Sequence, residues 1–114
     1  MRPGQPAPNE FEMALLERIA DSLPELRPLL GKLHVLSREY TGVGCYTNFM
    51  AIEPNPNLPN SMPPVEAHIE MPGVPSGLSA YLAIDRGSPR FLEIVTYGGE
   101  YWDGCYEGFS LVAG

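Results

Sequence analysis

The sequence predicts an α+β domain in two layers. An N-terminal helix, with a short second helix or turn after it, packs on a mainly antiparallel sheet of five or six strands. Three observations lead there. An apolar stripe of helical period runs from Phe11 to Leu23, period-two and near-continuous β-type runs fill the chain after Gly31, and short glycine or proline turns separate those runs. Sequential strands joined by short turns pair antiparallel, with one sheet face on the helix and the other partly open to water. A closed barrel is disfavoured, because the helix needs an apolar sheet face to cover its stripe.

Each element follows in order. "MRPGQPAP" has no apolar core of a secretory signal and reads as a flexible, polyproline-biased tail over residues 1–8, ahead of a single domain over 9–114. Asn9 caps the first helix, and Glu12, three residues on, completes a capping box. Phe11, Leu15, Ile19 and Leu23 recur every fourth residue, while Glu12, Glu17, Arg18 and Asp21 are expected on the wet side. Ser22 opens a second short helix or turn that Pro28 keeps irregular and Gly31 ends. "KLHVLSREY" and "VGCYTNFMAI" form the first two strands around a tight turn at Thr41-Gly42. "EPNPNLPNSMPP", residues 53–64, is too rich in proline for a helix or a central strand and is expected as a loop. In "VEAHIEM", Val65, Ala67, Ile69 and Met71 share one face, and Glu66, His68 and Glu70 the other. "PGVPSG" turns the chain into the strand "LSAYLAID", "RGSPR" turns it into "FLEIVTY", and a last strand lies around "GFSLV".

Charge narrows the function classes. The 114 residues carry a net charge of −7, and no Lys or Arg lies between Arg38 and Arg86 or after Arg90. Such a chain cannot build the broad basic stripe that releases counterions from nucleic acid, and it is repelled by anionic membrane surfaces. Any macromolecular partner is expected to be a neutral or basic protein. No apolar run reaches the ~20 residues of a membrane-spanning helix. The two cysteines, Cys45 and Cys105, are expected as buried, reduced thiols of a cytoplasmic protein, although a disulfide stays open if the chain is exported.

Several constellations bear on chemistry. In "TYGGEYWDGCYEGF" (96–109), Glu100, Asp103 and Glu107 alternate with Tyr97, Tyr101, Trp102 and Tyr106, and no base intervenes. Ring faces beside carboxylates suit a cationic group or a protein hot spot. The competing account has Trp102 and some of the tyrosines simply packing over the end of the sheet. Glu66, His68 and Glu70 would offer a metal site or a pH-responsive patch, although any wet strand face carries polar residues there. No nucleophile elbow, phosphate loop or catalytic Cys/His pair is evident, and no cofactor is called for. The long loop at 53–64 is a candidate roof for a small-molecule pocket, and an exposed edge strand would serve a homodimer.

The stretches "REYTGVGCYTNF" (38–49) and "GLSAYLAIDRGSPRFLEIVTYGGEYW" (77–102) resemble segments of small uncharacterised bacterial α+β proteins. There, a strand ending in a Tyr-Thr-Gly turn leads into a long polar loop, and a later glycine-bounded pair of strands forms a hairpin. The resemblance covers residues 32–104 and implies the fold. It transfers no activity and no catalytic residue. Single-domain acidic proteins of this class include immunity and accessory factors, so a protein-binding role is the expectation, with small-molecule or metal binding as the alternative and a structural homodimer as the second.

Overall fold

A computed structural model describes residues 6–112. It has the expected two layers: a helix and a long 3₁₀ helix packed on one six-stranded antiparallel sheet. The helix α1 spans Glu10–Ser22, and a 3₁₀ helix follows over Pro24–Lys32. Pro28 lies inside that second helix, where it has no N–H to give and crowds the preceding turn, so the segment does not relax into an α-helix. The strands are β1 Val35–Tyr40, β2 Gly44–Phe49, β3 His68–Met71, β4 Val74–Asp85, β5 Ser88–Thr96 and β6 Ser110–Val112. They lie side by side as β1-β2-β5-β4-β3-β6, so the two longest strands hold the centre.

The tail expected over residues 1–8 falls outside the described residues as far as residue 5. From Pro6 onward the chain is engaged: the Pro6 carbonyl accepts a 2.7 Å hydrogen bond from the Val35 amide, and Pro8 is buried. The hairpin between β3 and β4 turns on Pro72-Gly73 alone. "PGVPSG" is therefore not one turn, because Val74–Gly77 already belong to β4. Segment 53–64 is not a free loop either. Ser61 and Ile84 exchange both backbone hydrogen bonds, Leu82 donates to Pro63, and Val65 donates to Ala80. Residues 61–65 thus sheathe the part of β4 that β3 is too short to reach. The Pro63 carbonyl accepts from Leu82, while the prolines, having no N–H, present no regular edge to a further strand.

The core lies between the layers. Phe11, Leu15, Leu16, Ile19 and Ala20 of α1 and Leu26, Leu29 and Leu30 of the 3₁₀ helix meet the alternate residues Leu78, Ala80, Leu82 and Ile84 of β4 and Leu92 and Ile94 of β5. Leu58 and Val65 plug the core from the connecting segment.

A buried polar cluster centres on Glu12. Glu12, expected on the wet side, is 2% exposed. Its carboxylate closes the capping box by accepting from the Asn9 amide at 2.8 Å, while the Asn9 side chain accepts from the Glu12 amide at 2.8 Å. The same carboxylate accepts both arms of the Arg38 guanidinium of β1 at 2.8 and 2.7 Å and the Thr47 hydroxyl of β2 at 2.6 Å. Burial pushes this carboxyl up, but the hydrogen bonds from Arg38, Thr47 and the Asn9 amide outweigh it and hold the group below the ordinary carboxylate range. The sequence placed Glu12 outside because helical periodicity cannot see a partner 26 residues away.

Candidate functional site

The stretch 97–107 is built as a pinned loop at one end of the sheet. β5 ends with the Thr96 amide donating to Val43 and the Tyr97 amide donating to Gly77. Gly99 then takes the left-handed conformation at φ 73°, where a side chain would strain the backbone, and the chain doubles back. The turn is held by the Thr96 hydroxyl, which donates to the Glu100 carbonyl at 3.0 Å, and by the Ser76 hydroxyl, which donates to the Glu100 carboxylate at 2.8 Å. Next the Trp102 amide donates to Gly42 at 2.9 Å, the indole N–H to the Cys105 carbonyl at 2.9 Å, and the Cys105 amide to Asp103 at 2.9 Å.

The two sequence-level accounts of this stretch divide its residues between them. Trp102 is 5% exposed and belongs to the core, so it is lost from the expected contact surface. Its ring meets Phe11 of α1 edge-on at 6.1 Å, and the half-buried Tyr106 stacks on the same Phe11 at 6.0 Å. Phe11 thus draws the loop onto the start of the helix, a contact that no local pattern announces. Tyr97 and Tyr101 remain outside at 62% and 72% exposure, accompanied by exposed Asp103 and Glu107 and half-buried Glu100. Tyr40, absent from the predicted set, is exposed at the same end and lies against Gly104, where any side chain would strike its ring.

Of the triplet Glu66, His68 and Glu70, only His68 and Glu70 lie on β3. Residues 66 and 67 form a bend, and the Glu66 carboxylate accepts from the Ser22 hydroxyl at the end of α1 at 2.7 Å. Glu70 accepts from Ser110 of β6 at 3.3 Å, and the His68 ring stacks on Tyr97 at 6.4 Å. Among the described residues no three His, Cys, Asp or Glu side chains gather as metal ligands. His68 instead borders two open hollows, the second of which Tyr97 also lines. One, of about 460 Å³, is bordered by Glu70, Pro72, Pro75 and Ser110, and the other, of about 470 Å³, by Val65, Glu66 and Ala67. Neither is lined by residues 53–64, of which residues 61–64 run along β4.

The cysteines also divide. Cys45 is buried on the inner face of β2, and burial pushes its thiol up, which makes it a poor nucleophile. Cys105 is exposed, contrary to expectation, because it sits in the loop after Trp102 with only its backbone engaged. Both are free thiols. No helix among the described residues is long and apolar enough to cross a membrane. Compared with protein-family models, curated proteins and solved structures, the chain matches none.

Proposed function

We infer that this chain is a protein-binding accessory factor, of the immunity-like kind, that holds a neutral or basic partner with the tyrosine-bearing acidic rim at Tyr97–Glu107. The observation carrying this reading is the pair Tyr97 and Tyr101, the two rings left outside on a loop whose neighbours are fixed by backbone and side-chain hydrogen bonds. A pinned loop has already lost the freedom that association would otherwise remove, so more of the contact energy survives as affinity. Tyrosine adds large contact area for only two side-chain torsions. Glu100, Asp103 and Glu107 add attraction for a cationic partner, and no Lys or Arg follows Arg90 to neutralise them in sequence. The free thiols accord with a reducing, cytoplasmic setting.

The experiment is capture by immobilised wild-type protein, with Y97A/Y101A and D103N/E107Q in parallel. Because these side chains are exposed, each double variant is expected to keep its stability to within about 1 kcal/mol. A protein held by wild type, lost with Y97A/Y101A and weakened with D103N/E107Q, is the expected result. Equal retention by all three proteins, or collapse of the fold on removing the two tyrosines, would sink the reading.

A further inference from the structure

A different surface stands uncovered on the far side of the sheet. The molecule measures 38 × 35 × 20 Å, and its shortest dimension is filled by the sheet and the helical layer on its inner face. On the outer face the register lines up residues from neighbouring strands. Glu39 of β1 pairs with Tyr46 of β2, Tyr46 with Glu93 of β5, and Glu93 with Tyr81 of β4. A parallel row places Ser37, Asn48, Phe91 and Ala83 side by side. Tyr46, Asn48, Phe91, Glu93, Val95 and Tyr81 all keep partial solvent exposure.

Tyr46 is the fixed centre of this face. Its hydroxyl donates to Glu93 at 3.2 Å, and Phe91 meets its ring edge-on at 5.6 Å. Asn48 donates to Glu39 at 2.9 Å and to Ser37 at 3.1 Å, which steadies the second carboxylate. Neighbouring strands are about 4.8 Å apart, so the backbones carrying Glu39 and Glu93 stand about 5 Å to either side of Tyr46. Arg38, the one base within β1, turns the other way to Glu12. Arg90 lies just beyond the Phe91 row, where the pairing of β4 and β5 shifts register.

We propose that this uncovered face is a second docking surface, and that its occupant is an extended, arginine-bearing segment of a basic protein. A guanidinium plane laid on Tyr46 gains a ring face below it and a carboxylate on each flank, while the side-chain stem crosses Phe91. Arginine fits better than lysine because a planar group both stacks and donates in two directions. A second copy of this chain does not fit. It would bring a matching pair of carboxylates against Glu39 and Glu93.

The proposal stands apart from the rim and is tested apart from it. Isotope-labelled protein is titrated with triarginine and, separately, with trilysine, and amide shifts are followed by NMR. Shifts concentrated at Glu39, Tyr46, Tyr81, Phe91 and Glu93 are expected, with triarginine the tighter ligand. E39Q/E93Q keeps the size of both side chains and is expected to weaken triarginine by roughly tenfold. Shifts spread evenly over exposed acids such as Glu17, Glu25 and Glu53 would overturn the proposal. So would shifts confined to 97–107, a change under twofold in E39Q/E93Q, or outer-face shifts that grow with protein concentration alone. The outcome confined to 97–107 leaves the rim reading intact.

Discussion

Four donors converge on one carboxylate at Glu12, from the Asn9 amide, from two nitrogens of Arg38 and from the Thr47 hydroxyl. Removing one member of such a buried pair strands the other, a change that costs about 3–5 kcal/mol. E12Q is expected to lose most of that in urea denaturation, because an amide repels part of the Arg38 fork that a carboxylate accepts. T47V, which removes one donor at constant shape, is expected to cost about 1–3 kcal/mol, since the carboxylate keeps its other partners. The pH dependence follows from the depressed folded value of Glu12. Its contribution is complete above the ordinary glutamate range near about 4.3, and it is lost as pH falls from there through the lower folded value. Stability measured from pH 7 down to pH 3 is expected to fall in wild type, with this part of the fall missing in E12Q. The capping box itself was legible in Asn9 and Glu12, since it needs only a spacing of three. The burial of Glu12 was not, because its cause lies on β1 and β2.

Among the elements, β4 shows how a strand is completed by a segment that is not one. The amides of Leu82 and Ile84 donate to Pro63 and Ser61, outside any regular pairing. Hydrogen exchange is therefore expected to protect Leu82 and Ile84 well above exposed Glu53 in the connecting segment. Rapid exchange at both would show that residues 61–65 do not hold the edge. The hairpin from β4 to β5 turns on Arg86 and Gly87, both with positive φ, at 53° and 77°. Such a two-residue turn favours asparagine followed by glycine, so R86N is expected to stabilise by about 0.5 kcal/mol. G87A is expected to cost more than that in the same denaturation assay, because a side chain there meets the Asn55 backbone at 2.7 Å as well as a strained φ. Most elements were readable because α1 and the strands follow their own periods. The proline signal at 63–64 correctly excluded a regular strand but hid the fact that the same backbone still pairs. The "PGVPSG" turn was overextended for a related reason, since Pro75 tolerates an extended strand as readily as a turn.

For the whole molecule, Phe11 joins the start of the fold to its final loop through Trp102, Tyr106 and Phe109. The chain has a single tryptophan, so its fluorescence reports this junction. F11A is expected to shift that emission to the red and to destabilise the protein by about 3–5 kcal/mol, as in other large-to-small core changes. Unchanged emission would mean that the loop is held without the helix. Which rings of the rim pack and which stay outside was invisible in the sequence, since Tyr97, Tyr101 and Trp102 share a neighbourhood and differ only in what reaches them from α1. The Glu12 arrangement also bears on how this chain can diverge. Positions 9, 12, 38 and 47 lie on three separate elements yet answer to one another, so drift at any of them should be matched at the rest. Natural variants are expected to exchange the four together for an apolar set or to keep them together, and a lineage that swaps Arg38 for an apolar side chain while retaining Glu12 should be rare.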